Sequence, residues 1–231
     1  MSVEYDVGLI DSTRCDDTLT LRFERPRGSD FTPGQYFVLT IPTEDGEESK
    51  PFSHASAPHA DHLEMTTRVS GSAFKHALAS AEPGGLHARI RGPAGRFGVS
   101  DEDPGPPVFL AGGVGITPVM SILRSVRHAH RELGASLIYG NAVYRCVPYW
   151  DEIQALDGRL VRTTLVVERP EPGWTGPSGF ITPDTVRACV GDLPSHCYYV
   201  TGPPVMVEAM GAVLDELGIP GEWRRVEKFG R

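Results

Sequence analysis

The sequence predicts two units in one chain: a six-stranded antiparallel barrel with one short helix, followed by a parallel sheet covered by helices on both faces. Across residues 1–100, apolar residues alternate with polar ones between turn signals, which is the period of half-buried strands. From residue 108 onward, short apolar strands alternate with helical patterns, the signature of a parallel sheet. Residues 101–107 (DEDPGPP) separate the two patterns as an acidic, turn-rich linker. The expected division is therefore a barrel unit at 1–100, a linker at 101–107 and an α/β unit at 108–231.

In the first unit, Tyr5, Val7 and Leu9 alternate with polar residues, as do Leu19, Leu21 and Phe23. Pro33-Gly34 turns the chain into a strand at 35–41, and further strands are expected at 52–55, 63–69 and 86–90. A short helix is expected at 73–80, where the Ser72 hydroxyl can satisfy an unpaired backbone N–H. The second unit should run strand 108–111, helix 117–133, strand 137–139, helix 149–156, strand 161–167, helix 183–190, strand 198–201, helix 205–217 and strand 223–229. Thr117 is expected to cap the first of these helices, with Pro118 in its first turn.

Composition narrows the function. The 231 residues carry a formal net charge of −8, which argues against a nucleic-acid binder, because such proteins neutralise phosphates with Lys and Arg. No apolar run approaches the ~20 residues of a membrane span, and Met1–Asp6 has neither a basic lead nor an apolar core. A cytoplasmic protein with no membrane partner is expected. Cys15, Cys146, Cys189 and Cys197 lack metal-ligand spacing, so no metal centre is expected, and the four are read as free thiols. Redox chemistry would then need an organic cofactor.

The strongest local signal is residues 111–118, AGGVGITP, between an apolar strand and a helix. Glycines let the backbone approach a pyrophosphate, and a helix N-terminus offers N–H groups and a favourable dipole. The dinucleotide fingerprint is incomplete, because reading from Gly113 gives G-x-G-x-x-P and no acidic residue follows the next strand at Tyr139-Gly140-Asn141. Taken alone, the segment is either a pyrophosphate loop or a tight strand-to-helix turn.

Several segments together, in order along nearly the whole chain, resemble the ferredoxin–NADP reductase family. Residues 31–36 (FTPGQY) resemble its P-G-Q lead-in to the third barrel strand, and 50–56 (KPFSHAS) its R-x-Y-S-x-x-S flavin motif. Gly71-Ser72-Ala73-Phe74 resembles the start of its phosphate-facing helix, and 92–97 (GPAGRF) its barrel closure. Gly112–Pro118 is similar to its G-G-x-G-I-T-P nucleotide loop, Thr201-Gly202-Pro203 to its C-G-P, and Glu227-Lys228-Phe229 to its terminal E-x-aromatic.

The resemblance implies an FAD-binding barrel and an NAD(P)-binding α/β domain, with hydride passing from the nicotinamide to the flavin. Electrons would then go to a ferredoxin, a flavodoxin or an oxygenase. A flavin or quinone reductase acting on small molecules, and a non-catalytic subunit keeping the fold, are the alternatives. Around FAD the resemblance places Lys50, Pro51, Phe52, Ser53, Ser56, Thr67, Arg68, Val69, Gly71, Ser72, Ala73 and Phe229. In that reading Phe52 is an apolar wall, Ser53 a donor near the reacting ring nitrogen, and Lys50 the phosphate cation. Lys50 stands where the family has Arg and Phe52 where it has Tyr, so FAD should be held more loosely.

Around the nucleotide the resemblance places Gly112, Gly113, Val114, Gly115, Thr117, Pro118, Asn141, Arg145, Gly202 and Pro203. Ser53, Thr201 and Glu227 would position the reacting groups. Ala142 stands where NADPH-using members often place Arg, which points to NADH, and Arg145 could compensate. On the helix from Thr117, the residues Arg124, Arg127, His128, His130 and Arg131 form either a solvated face or a docking patch for an acidic carrier. His54 and His59 lie close to the flavin motif, where they either tune the flavin's potential or, as expected here, are exposed or hydrogen-bonded spectators.

Overall fold

A computed structural model describes residues 3–230; Met1, Ser2 and Arg231, the residue that extends the chain past Gly230, lie outside the described residues. The first six strands are β1 (Val3–Cys15), β2 (Thr18–Glu24), β3 (Tyr36–Thr43), β4 (Gly46–Ser53), β5 (His62–Arg68) and β6 (His87–Ala94). They form one antiparallel sheet in the order β4-β3-β6-β1-β2-β5. The sheet curls over Leu21, Phe23, Phe37, Leu39, Ile41 and Met65, all almost fully buried. Helix α1 (Ala73–Ser80) packs Phe74 and Leu78 into the same core. The outer strands meet past the end of β4, where Ala55 N donates to Glu64 O at 2.7 Å.

Strand β4 begins six residues before the expected strand at 52–55. Its first half, GEESK, carries no hydrophobic alternation, so only the hairpin pairing of Thr43 with Gly46 reveals it. The Ser72 cap is as expected, its Oγ accepting from Lys75 N at 3.3 Å.

The second sheet is parallel, in the order β11-β10-β7-β8-β9, from β7 (Val108–Gly112), β8 (Ala135–Asn141), β9 (Val161–Val167), β10 (Tyr198–Gly202) and β11 (Arg224–Lys228). Successive residues of each strand point to opposite faces. Phe109, Ala111, Leu137 and Tyr139 therefore meet α2 (Thr117–His128) and α3 (Trp150–Leu156) on one side. Val108, Leu110, Ile138 and Val200 meet α4 (Pro183–Cys189) and α5 (Pro204–Glu216) on the other. Residues 101–107 are pinned to this sheet, because the buried Asp103 carboxylate accepts from Tyr199 Oη and from Arg225 Nη2 at 3.2 Å.

Three expectations are corrected. Helix α2 ends at His128 rather than Leu133, because His130 adopts a left-handed conformation with φ 52°. Thr117 does not cap it: a 3-10 turn at Gly113–Ile116 leads straight into the helix, and Thr117 Oγ1 donates back to Val114 O at 3.1 Å. Cys15 and Cys146 are not free thiols but form a disulfide linking the end of β1 to the loop after β8, while Cys189 and Cys197 are free. The two partners are 131 positions apart, so only the tertiary fold brings them together. Among the described residues, no helix is long and apolar enough to cross a membrane.

Candidate active site

The end of β4 and the end of β11 meet between the two sheets. Ser53 is 2% exposed, and its hydroxyl donates to the Glu227 carboxylate. Burial raises the Glu227 carboxyl above its ordinary range, and the Ser53 hydroxyl opposes this only in part. Glu227 sits beside Thr201 in the parallel register of β10 and β11. Thr201 is completely buried, and its hydroxyl donates to Gly115 O at 3.0 Å, so that side chain ties β10 to the glycine loop. Phe229 is half-buried and its N–H donates to Gly202 O at 2.9 Å, which carries the chain across the mouth of β10.

A second cluster lies where β4, β5 and α1 meet. Lys50 Nζ is 3.4 Å from Ser72 Oγ and 5.2 Å from the centre of the Phe74 ring. Lys75, which the sequence reading passed over, turns its ammonium to the Thr67 hydroxyl and lies 4.7 Å over the Phe52 ring. Phe52 is thus covered on its faces by Phe74 and Lys75 rather than presenting a bare wall, while Pro51 is exposed. Gly71 has open space where a side chain would stand, and Ala73 opens α1. Two ammonium groups, a hydroxyl and a helix start around an open glycine make a donor set that fits the diphosphate of FAD.

The glycine loop works through its backbone. A Cβ on Gly115 would lie 2.6 Å from Thr201 O and 2.7 Å from Gly202 Cα, so only glycine lets the loop lie against β10. Gly113 has φ +53° and faces the Arg68 guanidinium, which reaches across from β5 and also pairs with Asp17 at 3.5 Å. Val69 N donates to Asp17 O at 2.7 Å and holds the end of β5 in place. Tyr139 Oη donates to Gly113 O at 2.9 Å from beneath. At the carboxyl edge of the sheet, Asn141 Nδ2 is a buried donor with no partner among the described residues. Gly112, Val114, Pro118, Gly202 and Pro203 lie around the same edge, at the crevice where open α/β sheets take their ligands.

Other residues take different parts. Arg145 is exposed, and its Nε donates to Asp16 Oδ2 at 3.0 Å beside the Cys15–Cys146 link. Ser56 is buried; its hydroxyl accepts from Glu64 N at 3.0 Å and its carbonyl from Ser121 Oγ at 2.7 Å. Arg124 is not part of a solvated patch. It bonds Glu64 at 2.6 Å, Glu152 at 2.6 Å and Ala55 O at 2.8 Å, while Arg22 bonds the other Glu64 oxygen at 2.7 Å. Burial alone would raise the Glu64 carboxyl, but Arg124 and Arg22 outweigh it and hold it below its ordinary value. Arg127 and Arg131 do remain mostly exposed. His54 is neither exposed nor hydrogen-bonded at Nδ1: it stacks on Phe31 at 3.7 Å, and burial with the nearby Arg25 charge lowers it to about 3. His59 stacks on His128.

Sequence reasoning missed Lys75, Glu64 and Glu152. Lys75 is the third residue of an expected helix beside a flavin motif, which was the available signal; the two carboxylates had none.

Residues 109–211 match the family profile of the oxidoreductase NAD-binding domain. The chain is 31% identical over 221 residues to ferredoxin–NADP reductase B of Sorangium cellulosum (strain So ce56), covering 90% of each protein. It is 30% identical over 223 residues to the reductase component of propane 2-monooxygenase from Rhodococcus jostii (strain RHA1), covering 92% of this chain and 60% of that one. Among solved structures, a ferredoxin NADP+ reductase from Neisseria gonorrhoeae with bound FAD and NADP superposes with a TM-score of 0.85 at 20% identity, covering 97% of this chain and 98% of that one.

Proposed function

The chain belongs to the ferredoxin–NADP reductase family, and from that premise we propose that it moves electrons from a nicotinamide nucleotide, through FAD, to a separate carrier protein or oxygenase component. The observation that carries this reading is the contact of Ser53 with Glu227, where the strand end of one sheet meets that of the other. When bound, FAD accepts a hydride from the nicotinamide and returns the electrons onward.

The residues of the chain have the task of bringing two flat rings together and excluding water. Lys50, Gly71, Ser72 and the start of α1 are assigned to the FAD diphosphate, with Thr67, Arg68 and Val69 along its path. Gly112–Pro118, Asn141, Gly202 and Pro203 are assigned to the nucleotide, with Arg68 supplying a cation from the opposite side. Ser53 and Glu227 orient the reacting ring, and Phe229 covers the face that the nicotinamide must reach. Thr201 acts from beneath by fixing the glycine loop. Arg145 pairs with Asp16 in this structure, and Ala142 stands where NADPH-using members often place Arg, which together favour NADH. We assign the FAD unit to 1–100 and the nucleotide unit to 108–231, joined by 101–107, and place the protein in the cytoplasm.

Anaerobic titration of the purified protein with NADH and then NADPH, followed in the visible spectrum, tests the reading. The expected result is a yellow protein bleached by NADH at lower concentration than by NADPH. Dye reduction without transfer to any ferredoxin, flavodoxin or oxygenase would favour a small-molecule reductase. A protein that stays colourless after incubation with FAD would overturn the proposal.

A further inference from the structure

We propose that Lys75 supplies a second side-chain cation for the diphosphate of FAD, working with Lys50 across the start of α1; this rests on the FAD reading above. The lysine is half-buried, yet among the described residues no carboxylate lies within ion-pair distance of it. Its partners are a hydroxyl, that of Thr67, and the face of Phe52. Both are weak substitutes for water around an ammonium group. Lys50 is similarly placed against Ser72 Oγ and the Phe74 ring, with one carboxylate, Glu48, at 3.7 Å on its outer side.

Two ammonium groups that disfavour one another and lack sufficient counter-charge are poorly explained as fold-stabilising elements. Buried charges in proteins are normally paired, and an unpaired one is costly. In keeping with this, burial and then the Lys50 charge lower Lys75 to about 8. The arrangement is resolved by an anion with two adjacent negative charges. A diphosphate has that shape, and the Ser72-capped helix start with the open Gly71 supplies its backbone donors. A single phosphate would meet one ammonium and leave the other uncompensated. Lys75 also has a second duty in this geometry: while its ammonium lies over Phe52 it occupies the ring face, so moving to the diphosphate clears that face for the flavin.

The test is flavin binding itself, read by fluorescence quenching on protein washed free of flavin, with FAD, FMN and riboflavin titrated separately. Lys75→Met should weaken FAD at least about tenfold, the loss of one charge-assisted hydrogen bond. FMN should weaken less, and riboflavin, which has no phosphate, should be unchanged. Lys75→Arg should restore most of the FAD affinity because it keeps the charge. Thermal denaturation without added flavin should show Lys75→Met at least as stable as the wild type, since it sheds an unpaired cation. Lys75→Gln repeats the comparison if the methionine variant folds poorly. Equal FAD affinity in the variants would overturn the proposal. So would a parallel loss of FAD and riboflavin, which would mark Lys75 as a packing residue of the α1–β5 contact. A wild type that binds no FAD would remove the functional reading and this inference together, whereas FAD binding indifferent to Lys75 would remove the inference alone.

Discussion

Helices α1 and α2 both begin at a glycine-bearing turn, and the two starts, assigned above to phosphate-bearing ligands, are built in opposite ways. The start of α1 is chemical: a serine cap, two lysines, and space around Gly71. The start of α2 is geometric. It has no side-chain cap, its threonine hydroxyl is turned back to Val114 O, and Gly115 fits against β10 with no room to spare. Its nearby cation, Arg68, is borrowed from the other sheet. A site made of charged side chains tolerates changes of shape but not of charge. A site made of backbone tolerates changes of charge but not of shape.

The two sheets are tied together by Arg124, which runs from α2 to Glu64 on β5. Breaking that link should have the largest effect. Arg124→Met leaves Glu64, 1% exposed at its side chain, with Arg22 and the His62 imidazole at 3.8 Å as its remaining partners, and a broken buried pair typically costs about 3–5 kcal/mol. Chemical denaturation should show that loss at neutral pH. The pH dependence has a definite sign. Because the folded-state value of Glu64 is lowered, its contribution is complete above the ordinary value of 4.5 and drains away as pH falls through the lowered one. The gap between wild type and variant should therefore narrow in acid. A constant gap from pH 7 to pH 3 would mean that Arg124 acts through packing alone.

The next effect separates shape from charge directly. Gly115→Ala forces a methyl group into the backbone of Thr201 and Gly202, an overpacking that costs about 1–3 kcal/mol. Gly71→Ala meets nothing within 4 Å and should stay within about 0.5 kcal/mol of wild type. Thermal denaturation of both variants, with nucleotide and FAD titrations alongside, measures the difference. Nucleotide binding should fail in the first while FAD binding persists in the second. Equal tolerance at both glycines would end the distinction.

The same contrast explains what the sequence could reveal. The glycine loop was legible because backbone-shaped sites need glycine and proline at fixed places in the chain, as at Gly112–Pro118. The α1 site was half legible: Ser72 and Lys50 lie within short motifs, whereas Lys75 acquires its meaning only when α1 folds over β4 and places it above Phe52. The polar half of β4 had no hydrophobic period to read, since GEESK is held by pairing with β3 rather than by burial. The links between the sheets were hidden altogether. Glu64–Arg124, Cys15–Cys146 and Asp16–Arg145 join residues far apart in sequence, and Arg124 and Arg145 carry charges that elsewhere belong to solvated surface.

The smallest expected effect lies where the end of β4 meets β11, at Ser53 and Glu227. The Ser53 hydroxyl has one proton, and with Glu227 ionised that proton is committed to the carboxylate. When Glu227 is protonated, it can itself donate, and the Ser53 proton becomes free for a bound flavin. Since burial raises Glu227, this exchange falls above the ordinary carboxyl value of 4.5 and within reach of stopped-flow experiments. Reduction of the flavin by excess NADH should therefore quicken as pH falls through that raised value. Glu227→Gln cannot titrate, so its rate should be flat across the same range. Ser53→Ala removes one hydrogen bond, worth about 0.5–1.5 kcal/mol, and should slow reduction roughly two- to tenfold at unchanged FAD occupancy. It should also raise Glu227 further, because the hydroxyl that opposes the effect of burial is gone. A wild-type rate in Ser53→Ala, with the same pH profile, would reduce the pair to a structural clasp between the sheets.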